Sequence, residues 1–167
     1  MVDDKQKNVC ANGFLSLVFT YGSLMEGGHE KNSTVKCACF KDLADMGHGD
    51  TVCLCDAGLP VPRGIEKIDL AVTAGVPGVV DVLLPVFEEL FVERAIVSSE
   101  LKEVQPKLFG QLSDLIRALE KSQGNAIPFE TITHEDFKLA AGDCRAVIRT
   151  GECTPYANII LCSGVPF

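Results

Sequence analysis

The stretch "CRAVIRTGECTPYANIILC", residues 144–162, decides the fold because it joins two apolar runs through a polar corner. The runs "CRAVIRT" (144–150) and "NIILC" (158–162) predict strands, and "GECTPYA" (151–157) predicts the corner between them. A chain terminus is usually free to fray. We nevertheless expect the apolar run near this terminus to be locked into a sheet.

Further towards the amino terminus, "TVCLCD" (51–56) predicts a second buried strand. Cys53 and Cys55 alternate with Val52 and Leu54, so both faces of the segment are apolar, as in a strand covered on both sides. Asp56 follows at the carboxyl end of this strand.

Strands and helices alternate along the rest of the chain. The clearest amphipathic helix is predicted over 106–121, and a short helix is predicted to begin at "THEDF" (133–137), capped by Thr133. An apolar run with helical spacing covers 79–90, and Pro85 is predicted to kink or divide this helix. The remaining strands are predicted in "KIDLAVT" (67–73), "VERAIVSSE" (92–100) and "PFETIT" (128–133). This alternation predicts an α/β fold with helices on both faces of one sheet.

Charge and missing motifs exclude several classes of function. The 167-residue chain has a formal net charge of −8, which opposes nucleic acid and anionic membranes because clustered Lys and Arg bind phosphates. No apolar run reaches the roughly 18 residues that span a bilayer. The P-loop, the G-x-G-x-x-G loop, G-x-S-x-G and H-E-x-x-H are all missing from the sequence.

Eight cysteines favour a buried thiol interpretation over a metal site. The pairs Cys37/Cys39 and Cys53/Cys55 are each separated by one residue, whereas structural zinc ligands usually have two to four residues between them. We therefore predict core cysteines, no metal site and a reducing, cytoplasmic compartment.

Residues 1–28 differ from the rest of the chain. They combine a charged start with one short apolar run and the pair Gly27-Gly28, which is typical of a linker or turn. We interpret 1–28 as an amino-terminal extension of unknown role and 29–167 as one domain.

His48 and Asp56 are candidates for proton transfer. His48 lies between two glycines just before the strand that delivers Asp56, so its imidazole is predicted to face the same strand edge as that carboxylate. Histidine exchanges protons near neutral pH, and ligands of open α/β sheets bind beyond the carboxyl ends of strands. The alternatives are a surface histidine and a turn aspartate that accepts backbone amides.

Two further pairs provide hydrogen-bonding groups. His134 and Lys138 are four apart on a predicted helix and share one face; the alternative is a solvated first turn. Tyr156 and Asn158 are two apart in a segment predicted to be extended, so both should point the same way. A phenol hydroxyl and an amide together suit the hydroxyl groups of a sugar.

Five segments carry a family resemblance: "GHGD" (47–50), "CDAGLPVP" (55–62), "KIDLAVTAGVP" (67–77), "GNAIPFETITHEDFK" (124–138) and "RAVIRTGECTPYANIILCSGV" (145–165). Through them the chain resembles the D-ribose pyranase family over about residues 31–167. The motifs "DAGLPVP" and "GECTPYANIIL" are specific and not short patterns met by chance.

The resemblance implies a three-layer α/β/α sandwich with a mixed sheet, assembled into rings of subunits. A decamer of two pentamers with sites at subunit interfaces is implied. The implied activity is the cofactor-free interconversion of the pyranose and furanose forms of D-ribose in carbohydrate metabolism.

The resemblance also implies roles for individual residues. His48 is the implied proton donor, and the implied substrate contacts are Asp56, His134, Lys138, Tyr156, Ala157 and Asn158. "GHGD" is similar to the related fucose mutarotases, whereas "DAGLP" and "SGV" favour the ribose branch. A fucose-type mutarotase and a non-catalytic sugar-binding protein are the alternatives.

Overall fold

The computed structural model of the protein describes residue 41 and residues 43–167. The proposed extension 1–28 and the pair Cys37/Cys39 lie outside the described residues. The strands are β1 (Thr51–Cys55), β2 (Glu66–Asp69), β3 (Val92–Ser98), β4 (Phe129–Ile132), β5 (Ala146–Arg149) and β6 (Ile159–Ser163). The helices are α1 (Val79–Glu89), α2 (Ser99–Val104), α3 (Pro106–Gln123) and α4 (His134–Gly142).

The six strands form one mixed sheet in the order β2-β5-β1-β6-β3-β4. β2, β5 and β1 are mutually parallel, as are β3 and β4, and β6 runs antiparallel between β1 and β3. The predicted terminal strand is therefore β6, at the centre of the sheet and buried along its whole length. This position explains why the carboxyl-terminal segment is ordered rather than frayed.

Apolar side chains cover both faces of the sheet. On one face Val52 and Leu54 of β1 pack in a core with residues of α1, α2 and α3. On the other face Cys53 and Cys55 pack with Phe137 of α4. The expected three-layer α/β/α sandwich with a mixed sheet is confirmed.

The helix signals in the sequence are also confirmed. Pro106 occupies the first turn of α3, and Gly124 ends that helix in the left-handed conformation with φ 77°. Thr133 caps α4 by accepting a hydrogen bond from the Asp136 N–H at 3.2 Å. α1 runs on through Pro85 without interruption, although that proline was predicted to kink or divide it.

The cysteines within residues 43–167 are all free, and four of the five are buried. Burial raises the pKa of the Cys55 thiol to about 12, with a further contribution from the neighbouring Asp56 carboxylate. Burial likewise raises the pKa of Cys144 to about 11. These thiols stay protonated near neutral pH and act as small apolar side chains, as expected.

The strands of the sheet end at two opposite edges. The carboxyl edge, as we call it, comprises the residues that follow β1, β3, β4 and β5 together with those that precede β6. The amino edge comprises the residues at the opposite end.

Among the described helices, none is long and apolar enough to cross a membrane.

Candidate active site

Asp56 and Asn158 form a buried pair at the carboxyl edge. The Asn158 Oδ1 accepts a hydrogen bond from the Asp56 N–H at 2.8 Å, and its Nδ2 donates to the Asp56 Oδ2 at 3.2 Å. The other Asp56 oxygen accepts the Gly58 N–H at 2.9 Å. Asp56 is 9% exposed and Asn158 is 1% exposed. Asp56 thus combines the predicted turn role with a fixed position at the strand end.

Tyr156 adopts a turn rather than the extended conformation that was predicted. Its φ of 66° is left-handed, and the Ala157 N–H donates to the Thr154 carbonyl at 3.3 Å. This matches a type II turn with Pro155 at its second position, where the third position requires positive φ. The period-two argument for Tyr156 and Asn158 was wrong because the chain has not yet become a strand at Tyr156. A left-handed tyrosine is strained by roughly 1–2 kcal/mol, a feature often found at functional sites.

His134 packs against Tyr156 at the same edge. The two rings meet edge to face, with their centroids 5.0 Å apart. The backbone N–H of His134 donates a hydrogen bond to Glu100 Oε1 at 3.1 Å. Among the described residues, the buried Nδ1 atom of the His134 ring has no hydrogen-bond partner. Lys138, one turn further along α4, pairs with Glu135 at 2.7 Å. The helix therefore offers a ring nitrogen beside Tyr156 and, one turn further on, an ammonium group.

The Glu152 side chain stabilises the corner by hydrogen bonds to residues of the corner itself. Its Oε1 accepts hydrogen bonds from the Thr154 hydroxyl at 2.7 Å, the Thr154 N–H at 2.9 Å and the Cys153 N–H at 3.0 Å. Partial burial opposes ionisation, but these bonds outweigh it and lower the pKa of Glu152. Ala157 is fully buried and its side chain is a methyl group, so only its backbone can form hydrogen bonds.

His48 lies at the opposite end of the sheet. It precedes β1, whereas Asp56 follows it, and the five residues of β1 separate them by about 16 Å. The prediction that both side chains face one edge was therefore wrong within a single chain, since residues before and after a strand lie at opposite ends of it. The His48 Nε2 instead lies 2.9 Å from Glu93 Oε2.

Three carboxylates at the two edges were not predicted from the sequence. Glu100 and Glu152 follow β3 and β5, so the rule that ligands bind beyond strand ends would have found them. Glu93 sits at an irregularity of β3 that the apolar pattern of the strand does not reveal.

The described residues contain no cluster of three His, Cys, Asp or Glu side chains suited to a metal ion. An open cavity of about 330 Å³ lies on the α4 face beside β2. None of the predicted site residues lines it; its lining residues are Leu59, Val61, Pro62, Arg63, Gly64, Ile65, Lys67 and Arg149. The carboxylate, imidazole, amide and phenol groups at the carboxyl edge are able to form hydrogen bonds with hydroxyl groups. The amino edge adds an exposed imidazole for proton transfer.

Comparisons with known proteins show which proteins the chain is similar to. A D-ribose pyranase of Actinobacillus succinogenes is 46% identical over 138 residues, which cover 83% of this chain and 99% of that protein. The structure of Bacillus subtilis RbsD complexed with D-ribose is 40% identical with a TM-score of 0.74, and the match covers 83% of this chain and all of that one. A fucose mutarotase in complex with L-fucose from Streptococcus pneumoniae is 27% identical with a TM-score of 0.59, over 75% of this chain and 89% of that one.

The match to a family model has nearly the same extent as these similarities. The model of the RbsD / FucU transport protein family matches residues 30–166 and so includes both the polar corner and the His48 loop. The chain belongs to the RbsD / FucU transport protein family.

Proposed function

We propose that the protein is a D-ribose pyranase that interconverts the pyranose and furanose forms of the sugar without metal or cofactor. The observation that carries the proposal is the buried Asp56–Asn158 pair beside Tyr156 and His134, in a chain that matches the ribose-bound structure along its whole domain. Its place in metabolism is to supply the furanose form to a reaction that uses it.

Ribose is favoured over fucose by overall similarity. The chain is 40% identical to the ribose complex and 27% identical to the fucose complex. The "GHGD" sequence around His48, which is similar to fucose mutarotases, concerns the proton donor and not the hydroxyl-binding corner. The corner is the part that distinguishes one sugar from another.

Ring opening requires two proton transfers, and closure to the other ring form requires two more. The anomeric hydroxyl loses a proton, the bond between the anomeric carbon and the ring oxygen breaks, and the ring oxygen takes up a proton. The open aldehyde then closes through a different hydroxyl by the reverse steps. A positioned acid or base contributes about 10²–10⁴ in rate, so groups that titrate near neutral pH suffice.

Four side chains at the carboxyl edge hold the sugar in this proposal. Asp56 accepts hydrogen bonds from sugar hydroxyls while Asn158 keeps its carboxylate in place and offers a second amide hydrogen. Further contacts come from the Tyr156 hydroxyl and from the buried Nδ1 of His134, which has no hydrogen-bond partner within residues 43–167.

Two weaker contacts complete the proposed binding set. Lys138 reaches the sugar from α4, where it now pairs with Glu135, and Ala157 contributes its main chain.

His48 acts on a sugar held by a neighbouring copy. Within one chain it is at the wrong end of β1, but a head-to-tail contact brings the amino edge of one copy against the carboxyl edge of the next. Contacts of this kind close into rings. Large apolar side chains are exposed at both edges, with Val72 81% and Val76 51% exposed beside the corner and Phe167 exposed beyond β6. A decamer of two pentamers is the assembly we propose.

The cytoplasm is the proposed compartment. Free cysteines at all five described positions agree with a reducing environment, where thiols do not pair.

Saturation transfer between the anomer signals of ribose tests the activity directly. Catalytic amounts of the protein, with EDTA present, should speed exchange between pyranose and furanose signals, and should do so far less for L-fucose. Faster exchange of fucose than of ribose would contradict the ribose assignment. Saturable ribose binding without faster exchange would instead indicate the non-catalytic sugar-binding alternative.

A further inference from the structure

We propose that Glu93 is a positioning residue that fixes the orientation and tautomer of His48. The inference rests on the proposed function, since it concerns the proton transfer assigned to that histidine. Its structural basis is the contact between His48 Nε2 and Glu93 Oε2, 2.9 Å apart, at the amino edge.

A β-bulge turns Glu93 towards His48. In the pairing of β3 with β6, Val92 lies opposite Ser163 and Arg94 lies opposite Cys162, so Glu93 is the extra residue between them. Bulges leave one residue outside the regular ladder and re-aim its side chain, and they are common beside active sites. Without the bulge, the regular alternation of side chains along β3 would decide towards which face of the sheet Glu93 points.

The Glu93 carboxylate is held by neighbours as well as by His48. The Cys162 thiol donates to Glu93 Oε1 at 3.4 Å, so each carboxylate oxygen has a partner. Gly164 lies against the side chain: a methyl group there would be 3.0 Å from the Glu93 Cβ and 3.1 Å from its Oε2. An added methyl group at position 164 would therefore force the Glu93 side chain to shift by a few tenths of an ångström.

The loop that carries His48 is tied to the same end of β6. The Gly49 N–H donates to the Ser163 carbonyl at 2.8 Å, and the Ser163 N–H donates to the Asp50 carbonyl at 2.8 Å. Gly164 in turn donates to the Phe91 carbonyl at 2.8 Å, next to the bulge. The imidazole and the carboxylate are therefore anchored to one short segment and keep a fixed relation.

The contact determines which nitrogen of His48 reacts. An ionised carboxylate only accepts hydrogen bonds, so Nε2 carries a hydrogen and donates it to Glu93. In the neutral ring the lone pair then lies on Nδ1, and Nδ1 is the atom that exchanges protons with the sugar. Glu93 balances the charge of the imidazolium that forms when Nδ1 takes up a proton, and it does not touch the sugar itself.

The contact is not needed to keep the chain folded. The His48 side chain is 63% exposed and that of Glu93 is 36% exposed, and exposed pairs of this kind contribute little to stability. Glu93→Gln should therefore fold and assemble normally, which allows its effect on catalysis to be measured.

Two measurements on the full-length assembly test the role of Glu93. Glu93→Gln should lower kcat for ribose ring exchange about tenfold or more and leave KM unchanged, because the groups that hold the sugar are untouched. Asp114→Asn, which removes a carboxylate from an exposed ion pair with Arg117 on α3, is the matched control and should match the wild type.

The tautomer of His48 is the second readout, and it does not depend on activity. The chain contains three histidines, so ¹⁵N NMR of histidine-labelled protein, with His48→Gln for assignment, resolves this ring. The wild type should show protonated Nε2 in the neutral ring, and Glu93→Gln should show a mixture of tautomers because an amide both donates and accepts.

Two results overturn the inference: unchanged kcat in Glu93→Gln, or an unchanged tautomer. If the wild type itself fails to accelerate ring exchange, the proposed function fails, and the tautomer experiment still decides whether Glu93 orients His48.

Discussion

Replacing His48 by Ala should abolish the acceleration of ribose ring exchange, with a loss of about 10²–10⁴-fold in rate. Ribose binding should persist, because the proposed binding groups lie at the carboxyl edge and His48 lies at the amino edge. The fold should persist as well, since the His48 side chain is 63% exposed and is not part of either core. Saturation transfer measures the exchange, and calorimetric titration measures binding.

The matched control for this variant is Arg117→Ala. Its side chain is 71% exposed on α3 and is not among the proposed site residues, so the variant removes an exposed cationic group and should exchange ribose like the wild type. Unchanged ring exchange in His48→Ala would remove His48 from the mechanism. Loss of binding together with exchange would show that His48 holds the sugar rather than moving a proton.

Replacing Gly151 by Ala should destabilise the protein by about 3 kcal/mol, which lowers Tm by about 6–12 °C for a chain of this size. Gly151 lies at the start of the polar corner, against the loop before α1. A methyl group there would be 2.5 Å from the Thr73 carbonyl oxygen and closer still to that of Val76. Both atoms belong to backbone that is hydrogen-bonded to the corner, so neither can yield without opening it.

Gly110→Ala separates this clash from the general effect of adding a methyl group. Gly110 lies in α3, where an added methyl group meets nothing within 4 Å. Alanine is the better helix former, so this variant should gain up to about 1 kcal/mol. Urea unfolding of the two variants should therefore show shifts of opposite sign. Equal stability of both variants would mean that the loop and the corner are not packed as described.

The strands and helices were predictable because their signals are local. The alternation of Val52 and Leu54 with two cysteines identified β1, and the residues Pro106 and Gly124 marked the ends of α3. A covered sheet followed from the alternation of the two kinds of element. The candidate residues of the carboxyl edge followed from strand ends and family motifs.

The geometry around those residues was not predictable in the same way. The left-handed turn at Tyr156 occupies a position where glycine or asparagine is usual, so the tyrosine concealed it. The bulge at Glu93 depends on pairing with β6, which lies about 70 residues away in sequence and leaves no local pattern. The separation of His48 from Asp56 follows from strand direction alone, because one residue precedes β1 and the other follows it.

We propose that each site combines the carboxyl edge of one copy with His48 of the next. Mixed assemblies of two inactive variants test it most directly. His48→Ala removes the proton donor, and Asp56→Asn removes the buried carboxylate while keeping a side chain that can bond to Asn158. Each variant alone should be inactive.

Co-refolding equal amounts of His48→Ala and Asp56→Asn should restore about a quarter of the wild-type exchange rate. In a head-to-tail ring, half of the corners and half of the neighbouring histidines are intact, so about one site in four carries both. Differently tagged subunits confirm that the rings are mixed. Recovery of activity in mixed rings is the result we predict, and mixed rings that remain as inactive as either parent would contradict a site shared between two copies.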